Sequence, residues 1–270
     1  MTLSIPTNPT PVRDYLSLAP LPLAFERALE AQIFRDLPFD RPVLDIGCGE
    51  GLFAKVVFEE PVDTGIDPNA RELERARALG AYAELIECFG DDIPKPDGAY
   101  KTIFSNSVLE HIPDLDPVLR EAYRLLAPGG RMYLTVPSDQ FEHYAVGARV
   151  LDALGWDGQS QKYREFYNSF WAHYHCYSLE GWAEVTARCG FELVEGYTYN
   201  PRSLCLINDL LVPFSAPGLA IKKLTNRWTL APALRRLYTW PVYRTMSGLL
   251  ERGIRADEGG LVFLSLRKPA

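Results

Sequence analysis

Three glycines at alternate positions, Gly47, Gly49 and Gly51, follow the apolar run Val43-Leu44-Asp45-Ile46 and precede Leu52, Phe53, Val56 and Val57 at helical spacing. The pattern is that of a buried strand turning sharply into a helix. Glycine there removes the side chains that would keep a ligand from backbone N–H groups at a helix N-terminus. The chemistry this supports is the binding of a nucleotide-like cofactor. A dinucleotide fingerprint needs its third glycine three residues after the second; that place is Leu52, which disfavours NAD and an NAD-dependent oxidoreductase. A second group of reactive side chains lies further on. Three of the four histidines, His143, His173 and His175, fall in the aromatic and polar stretch 138–177. Histidine is the side chain whose ordinary pKa best suits proton transfer at neutral pH.

These groups need elements to position them. Before the glycine turn, Phe25, Leu29 and Ile33 share one face of a helix predicted over Leu23–Arg35, and Pro42 suits the first position of the strand. After the turn come a strand at Val62–Ile66, a helix at Ala70–Leu79 stopped by Gly80, and strands at Ala83–Glu87, Thr102–Ser105 and Met132–Val136, with a helix at Leu115–Leu126 before the last. Strands separated by helices pair in parallel, and ligands of such sheets sit beyond the carboxyl ends of the strands. The stretch 138–177 stands where the next helix is due, in a position where substrate pockets are built. Ser178 caps and Gly190 stops a helix at Leu179–Cys189, which returns the chain to a strand at Phe191–Thr198. The last strand is Leu261–Leu266. About sixty residues separate these two strands, far more than a hairpin loop holds, so they form an insertion with structure of its own.

The run VLDIGCGEG resembles the first motif of class I S-adenosylmethionine-dependent methyltransferases, and further motifs follow in the family's order. Gly65-Ile66-Asp67-Pro68-Asn69 is similar to its second strand end, Gly90-Asp91-Asp92-Ile93-Pro94 to its adenine turn, and Ser105-Asn106-Ser107-Val108-Leu109-Glu110-His111-Ile112 with Leu126-Ala127-Pro128-Gly129-Gly130-Arg131 to the stretch from the fourth strand into the fifth. The resemblance implies an α/β, doubly wound Rossmann-like sheet of seven strands, mostly parallel with an antiparallel last strand, plus a helical insertion between the last two. It implies S-adenosyl-L-methionine as cofactor and S-adenosyl-L-homocysteine as product. Asp67, followed by Pro68, is then expected to hold the ribose hydroxyls. Asp45 and the backbone of Gly47, Cys48 and Gly49 would meet the methionine portion, one of Asp91 and Asp92 the adenine amino group, and Ile93 the ring. Asn106 and Ser107 would present backbone carbonyls to the cofactor amine, and Tyr15 would close over the cofactor. His111 would approach it too, or join Glu110 on a metal as in some quinone-type relatives; no third ligand is spaced nearby, so no metal is expected. The adenine turn is about two residues shorter than the common pattern, and Lys101 replaces an acid that usually begins the fourth strand.

The expected organisation is an N-terminal tail and lid helix over 1–36, the cofactor-binding core over 37–200, a basic and aromatic helical insertion over 201–258, and the final strand over 259–270. Five cysteines without a CxxC pair argue against a disulfide framework or a structural zinc, and the N-terminus lacks a secretory pattern; both fit a cytoplasmic protein. A net charge of −7, and no Asn-Pro-Pro-Tyr type motif, argue against a nucleic-acid partner. From Lys222 to Arg255, eight basic residues face one acid, Glu251, among Trp228, Tyr238, Trp240 and Tyr243. The preceding apolar stretch Leu204–Ile221 is broken by Asn208, Asp209, Pro213 and Pro217, short of an uninterrupted spanning helix. Residues 204–255 therefore read either as a segment lying on the inner face of a membrane or as a helical cap or dimer surface. The expected function is methyl transfer to a small-molecule acceptor, at a hydroxyl oxygen of a lipid, quinone-like or glycan-linked compound, with His173 and His175 as proton acceptors. A non-catalytic S-adenosylmethionine-binding module is the alternative.

Overall fold

All four residues of Val43–Ile46 (β1) are buried, because this strand lies inside a sheet covered on both faces. The computed structural model describes residues 5, 7, 8, 10–225, 228, 234, 235 and 239–270. Pro11–Leu18 (α1) and Leu21–Arg35 (α2) precede β1. Leu52–Val57 (α3), Val62–Asp67 (β2), Ala70–Leu79 (α4), Tyr82–Glu87 (β3), Tyr100–Asn106 (β4), Leu115–Leu125 (α5) and Leu126–Pro137 (β5) follow. Val146–Ala153 (α6) and Asp157–Trp171 (α7) fill the connection before Leu179–Arg188 (α8) and Glu192–Pro201 (β6). Arg202–Leu211 (α9), Ala216–Thr225 (α10) and Trp240–Gly253 (α11) make up the insertion, and Gly259–Arg267 (β7) ends the sheet. The strand order is β3-β2-β1-β4-β5-β7-β6, with β1 to β5 parallel and β7 antiparallel to both neighbours.

Side chains alternate across the sheet and give each face its own core. Ile103, Met132 and Leu264 pack with Val118 and Leu119 of α5 and Trp182 of α8. Phe104, Tyr133 and Phe263 point the other way, towards α2, where Phe34 meets Phe104 edge-on at 5.7 Å and Tyr133 stacks on Phe263 at 6.3 Å. Gly80 and Ser178 act as predicted, the first in the left-handed conformation after α4 and the second accepting from Gly181 N, while α4 is capped by Asn69, which accepts from Arg71 N. Strands four to seven run longer than the apolar pattern predicts because ladder pairing continues past their apolar residues.

The insertion departs from expectation in two ways. Arg202–Thr225 is one helical run, because Pro213 falls in a 3-10 turn and Pro217 in the first turn of α10, where proline is tolerated. By length and composition alone this run suffices to cross a membrane, and little of its apolar window is buried. Three of the eight basic residues, meanwhile, are engaged by the protein itself. Arg235 donates to the carbonyls of Leu16 and Ala19 at the end of α1, Arg255 pairs with Glu195 and covers the Tyr197 ring, and Lys222 lies 3.3 Å from Glu50. Arg227, Arg236 and Tyr238, part of the expected basic and aromatic segment, lie outside the described residues.

Trp182 is fully buried and donates its indole N–H to Pro137 O at 2.9 Å, fastening α8 to the carboxyl end of β5. Trp182→Ala should cost about 3–5 kcal/mol, measured as a lower denaturation midpoint with an unchanged m-value.

Candidate active site

The turn after β1 is tied to β2 by its backbone: Gly47 N and Cys48 N both donate to Ile66 O, at 3.0 and 2.8 Å. Gly47, Gly49 and Gly51 all have positive φ. A Cβ on Gly47 would run into Val108, so glycine is required there for space as well as for conformation. Asp67 sits at the end of β2. Its Oδ2 accepts from Gly49 N at 3.0 Å and its Oδ1 from Asn69 N at 2.8 Å. A carboxylate offers about four acceptor sites, so each oxygen keeps capacity for a ligand hydroxyl. Burial raises the Asp67 pKa, with the two backbone donors opposing. Asp45 is deeper and accepts from the Tyr82 hydroxyl at 2.6 Å; burial, the main cause, pushes its pKa up to about 7.

A cleft of about 220 Å³ opens over this turn, lined among others by Tyr15, Asp45, Gly47, Cys48, Asn106 and Ser107. Tyr15 is 1% exposed, so it is a wall of the cleft and not a tail residue on the surface. A second cavity of about 240 Å³ lies alongside, and Leu23, Arg27 and Ser107 line both. That partition is held by Glu30, which accepts from Arg27 Nη1 at 2.6 Å, Asn106 Nδ2 at 2.8 Å, Ser107 Oγ at 3.0 Å and the Tyr199 hydroxyl at 3.2 Å. Asn106 Oδ1 takes the Thr135 hydroxyl while its Nδ2 donates to Glu30, so both ends of the side chain are held by the protein. Neither Glu30 nor Arg27 is prominent in the sequence. The available signal is charge within a mainly apolar helix, shared with Glu26 and Arg35.

The second cavity draws on more of the chain than the 138–177 stretch. Phe141, Tyr144, Tyr167 and Trp171 come from that stretch, and the insertion adds Asn208, Asp209 and Trp228. Asp209, which reads in sequence as a break in an apolar run, is a pin: its oxygens accept from Val146 N at 2.8 Å and from the Tyr167 hydroxyl at 3.2 Å. Glu110 Oε2, Asn200 Oδ1 and Asn208 Oδ1 are buried, belong to residues lining this cavity, and have no hydrogen-bond partner.

The structure separates the two histidines expected as proton acceptors. Ala172 ends α7 in the left-handed conformation, after which Tyr174 N donates to Glu110 O at 2.8 Å and brings His173 beside His111, ring centroids 5.2 Å apart. His173 lines the cavity; burial, then the neighbouring His111, lower its pKa to about 4, so it is neutral at pH 7 but a weak base. His175 does not line it. Its Nε2 donates to Ile112 O at 3.0 Å and its Nδ1 faces the Tyr177 hydroxyl at 2.8 Å, which makes it a structural link. His111, expected near the cofactor turn, lies on the second cavity instead, and His143 lines neither. Burial raises two carboxyls there that the sequence reading did not assign as bases: Glu26 to about 7 and Glu110 to about 8.

Residues 21–196 match the methyltransferase domain family. The chain belongs to the class I S-adenosylmethionine-dependent methyltransferases. An uncharacterized methyltransferase of Mycobacterium sp. (strain JLS) is 31% identical over 152 residues, 53% of this chain and 60% of the relative. A ubiquinone biosynthesis O-methyltransferase of Vibrio atlanticus is 32% identical over 122 residues, 42% of this chain and 52% of the relative. The alignments thus span about half to three fifths of these relatives' length. Among solved structures, a methyltransferase from Thermotoga maritima has a TM-score of 0.54 at 17% identity, covering 92% of this chain and 91% of its own. A phosphoethanolamine N-methyltransferase of Haemonchus contortus, solved with S-adenosylhomocysteine, has 0.52 at 19%, covering 93% and 54%. At such identities the likeness is one of fold.

For a methyltransferase of this class, the glycine turn and Asp67 suit the cofactor's methionine and ribose portions, by the spare acceptor capacity of Asp67 and the open space that a Cβ on Gly49 would enter. The adenine edge differs from expectation. Ile93 is 1% exposed and spent on the core beside Val118, so it is not free to cover a base. Asp91 and Asp92 stand exposed on the turn, as does Pro68 after β2, and the exposed aromatic surface at this edge is Phe89, which the motif comparison passes over.

The cofactor is cationic, so binding favours ionised Asp45 and expels its proton. Affinity for S-adenosylmethionine should rise as pH climbs through about 7, by up to about tenfold per unit below that value, and level off above it. Calorimetric titration of wild type against Asp45→Asn checks this: the variant should lose the slope.

Proposed function

We propose that this chain transfers the methyl group of S-adenosylmethionine to a hydroxyl oxygen of a small amphiphilic acceptor bound in the second cavity. One observation carries the reading: Leu23, Arg27 and Ser107 line both cavities, so the two share a rim, and it is at this rim that an acceptor oxygen and the methyl group come into direct contact. The cofactor supplies an activated methyl group; the protein's work is to align it with the acceptor and to take up a proton. The unpartnered oxygens of Asn200 and Asn208 call for donors, which hydroxyl groups provide, and Phe141, Tyr144, Tyr167, Trp171 and Trp228 give the rest of the acceptor an apolar setting. Glu26 is the better proton acceptor, since a carboxyl titrating near 7 matches neutral pH and His173 at about 4 does not. The resemblance to ubiquinone and rifamycin O-methyltransferases over part of the chain favours the oxygen acceptor.

The outer surface favours an amphiphilic one. Leu210 and Phe214 of the insertion are 59% and 74% exposed, and α6 and α7, which join α9 through Asp209, expose Leu154, Trp156, Phe166 and Phe170. Apolar surface of this kind beside a cavity suits contact with the inner face of a membrane. With Lys222, Arg235 and Arg255 engaged internally, that contact rests on apolar burial more than on charge. In flotation assays the protein should rise with neutral vesicles and stay with them at high salt, and Phe214→Ser should weaken the association; no association with any vesicle would remove the membrane contact.

The central test supplies methyl-labelled S-adenosylmethionine and a cell extract, then partitions the label. Label should enter the organic phase, vanish with Asp67→Ala, and fall at least about tenfold with Glu26→Gln at unchanged cofactor affinity. Label confined to water would replace the amphiphilic acceptor with a polar one, and no transfer despite cofactor binding would overturn the enzymatic reading.

A further inference from the structure

Among the described residues, Glu110, His111 and His173 form a cluster whose potential ligand atoms all lie within 4.8 Å of one another. Sequence spacing hides it, because the third group arrives from the far end of α7. Three features distinguish the cluster from an accidental grouping. Glu110 has a side chain 3% exposed, and its Oε2 has no partner, a state that costs free energy unless something binds there. His111 Nδ1 lies 3.1 Å from Ala172 O; a carbonyl only accepts, so Nδ1 carries the proton and Nε2, 3.8 Å from Glu110 Oε1, presents its lone pair. A histidine that donates one ring nitrogen to a backbone carbonyl and turns the other to its neighbours has the arrangement found behind metal-ligating histidines. His173, finally, has Nδ1 directed at Cys176 Sγ, 3.9 Å away, and its backbone is fixed by the Tyr174 N to Glu110 O bond.

All three residues line the acceptor cavity, which leaves an open side for a fourth ligand. Three protein ligands with one open position is the pattern of catalytic, not structural, metal sites. Two imidazoles and one carboxylate suit a divalent transition ion such as zinc; magnesium and calcium prefer all-oxygen sets. The ligand atoms must draw in to roughly 3.3 Å, the edge of a tetrahedron with bonds of about 2.05 Å, which small side-chain rotations can supply.

We infer that Glu110, His111 and His173 bind one divalent transition-metal ion whose open position takes the acceptor's hydroxyl oxygen. The binding of the ion stands by itself; its role rests on the methyl-transfer reading above. In that role the O–H bond of the coordinated hydroxyl breaks and its proton passes to Glu26. An oxygen lone pair then forms the O–CH3 bond as the S–CH3 bond breaks, and that bond's electron pair stays on sulfur.

The test uses the full chain, stripped with a chelator and dialysed against zinc alone or cobalt(II) alone, without acceptor. One zinc should be retained per chain, and cobalt should give visible ligand-field bands. Glu110→Gln and His173→Ala should each weaken zinc binding at least about tenfold, while His143→Ala leaves it unchanged. Circular dichroism and S-adenosylhomocysteine affinity, unaltered in these variants, exclude unfolding as the cause. Wild-type protein that retains no zinc and shows no cobalt bands overturns the site, as does His173→Ala binding zinc as tightly as wild type. Methyl transfer at full rate in the stripped enzyme would overturn the catalytic role while the methyltransferase reading stands. A bound ion with no methyl transfer would leave the site standing and that reading overturned.

Discussion

The buried carboxylate of Glu30 is the constraint on which the site depends. It is fully buried, and its four acceptor positions take four donors from three parts of the chain: Arg27 on its own helix, Asn106 and Ser107 at the end of β4, and Tyr199 on β6. A carboxylate satisfied in this way holds geometry, because removing the Arg27 guanidinium leaves it under-paired, at a cost of about 3–5 kcal/mol, and removing one of the neutral donors costs about 1–3 kcal/mol. The consequence is positional. Helix α2 is fixed against the carboxyl edge of the sheet, and its Arg27 becomes part of the partition between the two cavities. Burial disfavours the charged arginine, but Glu30 and Glu26 outweigh that and hold it charged.

The acceptor side is built by a different means. From Ala172 to His175 the chain runs along Glu110 to Ile112, joined by the His111 ring to Ala172, by Tyr174 N to Glu110 O and by the His175 ring to Ile112 O. Two of these three links are histidine side chains used as backbone partners. That is why a histidine-rich stretch supplies only one imbalance of chemistry, at His173, while His175 is consumed in holding it there.

Most of the fold was legible because its signals are local. Alternating glycines, a cap at Ser178 and a stop at Gly80 or Gly190 each act within a few residues, and the order of strands and helices then leaves few topologies. The cofactor turn was legible for the same reason. The acceptor cavity was not, since its groups meet only through the fold: His173 reaches His111 across sixty residues of chain, and Asn200, Asn208 and Glu26 have no common sequence pattern. Ile93 was misjudged because a motif gives position but not orientation, and here the side chain turns into the core. Asp209 and the two prolines of the insertion were read as interruptions of an apolar run, whereas their effect depends on what lies opposite them and on where in the helical turn they fall.

The insertion links the two halves of the site. Trp228 lines the acceptor cavity and donates its indole N–H to Glu50, a member of the cofactor turn, while Lys222 reaches the other oxygen of the same carboxylate and covers the indole ring at 4.3 Å. An aromatic wall of the acceptor cavity is therefore anchored on the element that shapes the cofactor cleft. Two interactions converging on one carboxylate make the anchor stronger than a single surface ion pair, which is worth under about 1 kcal/mol, and the Lys222 cation over the indole face adds attraction that needs no further burial of charge. Lys222, Arg235 and Arg255, which sequence leaves free to face either a membrane or solvent, have partners on the protein itself. These three hold the insertion against the core, and the outer side of α9 and the turn after it exposes Leu210 and Phe214.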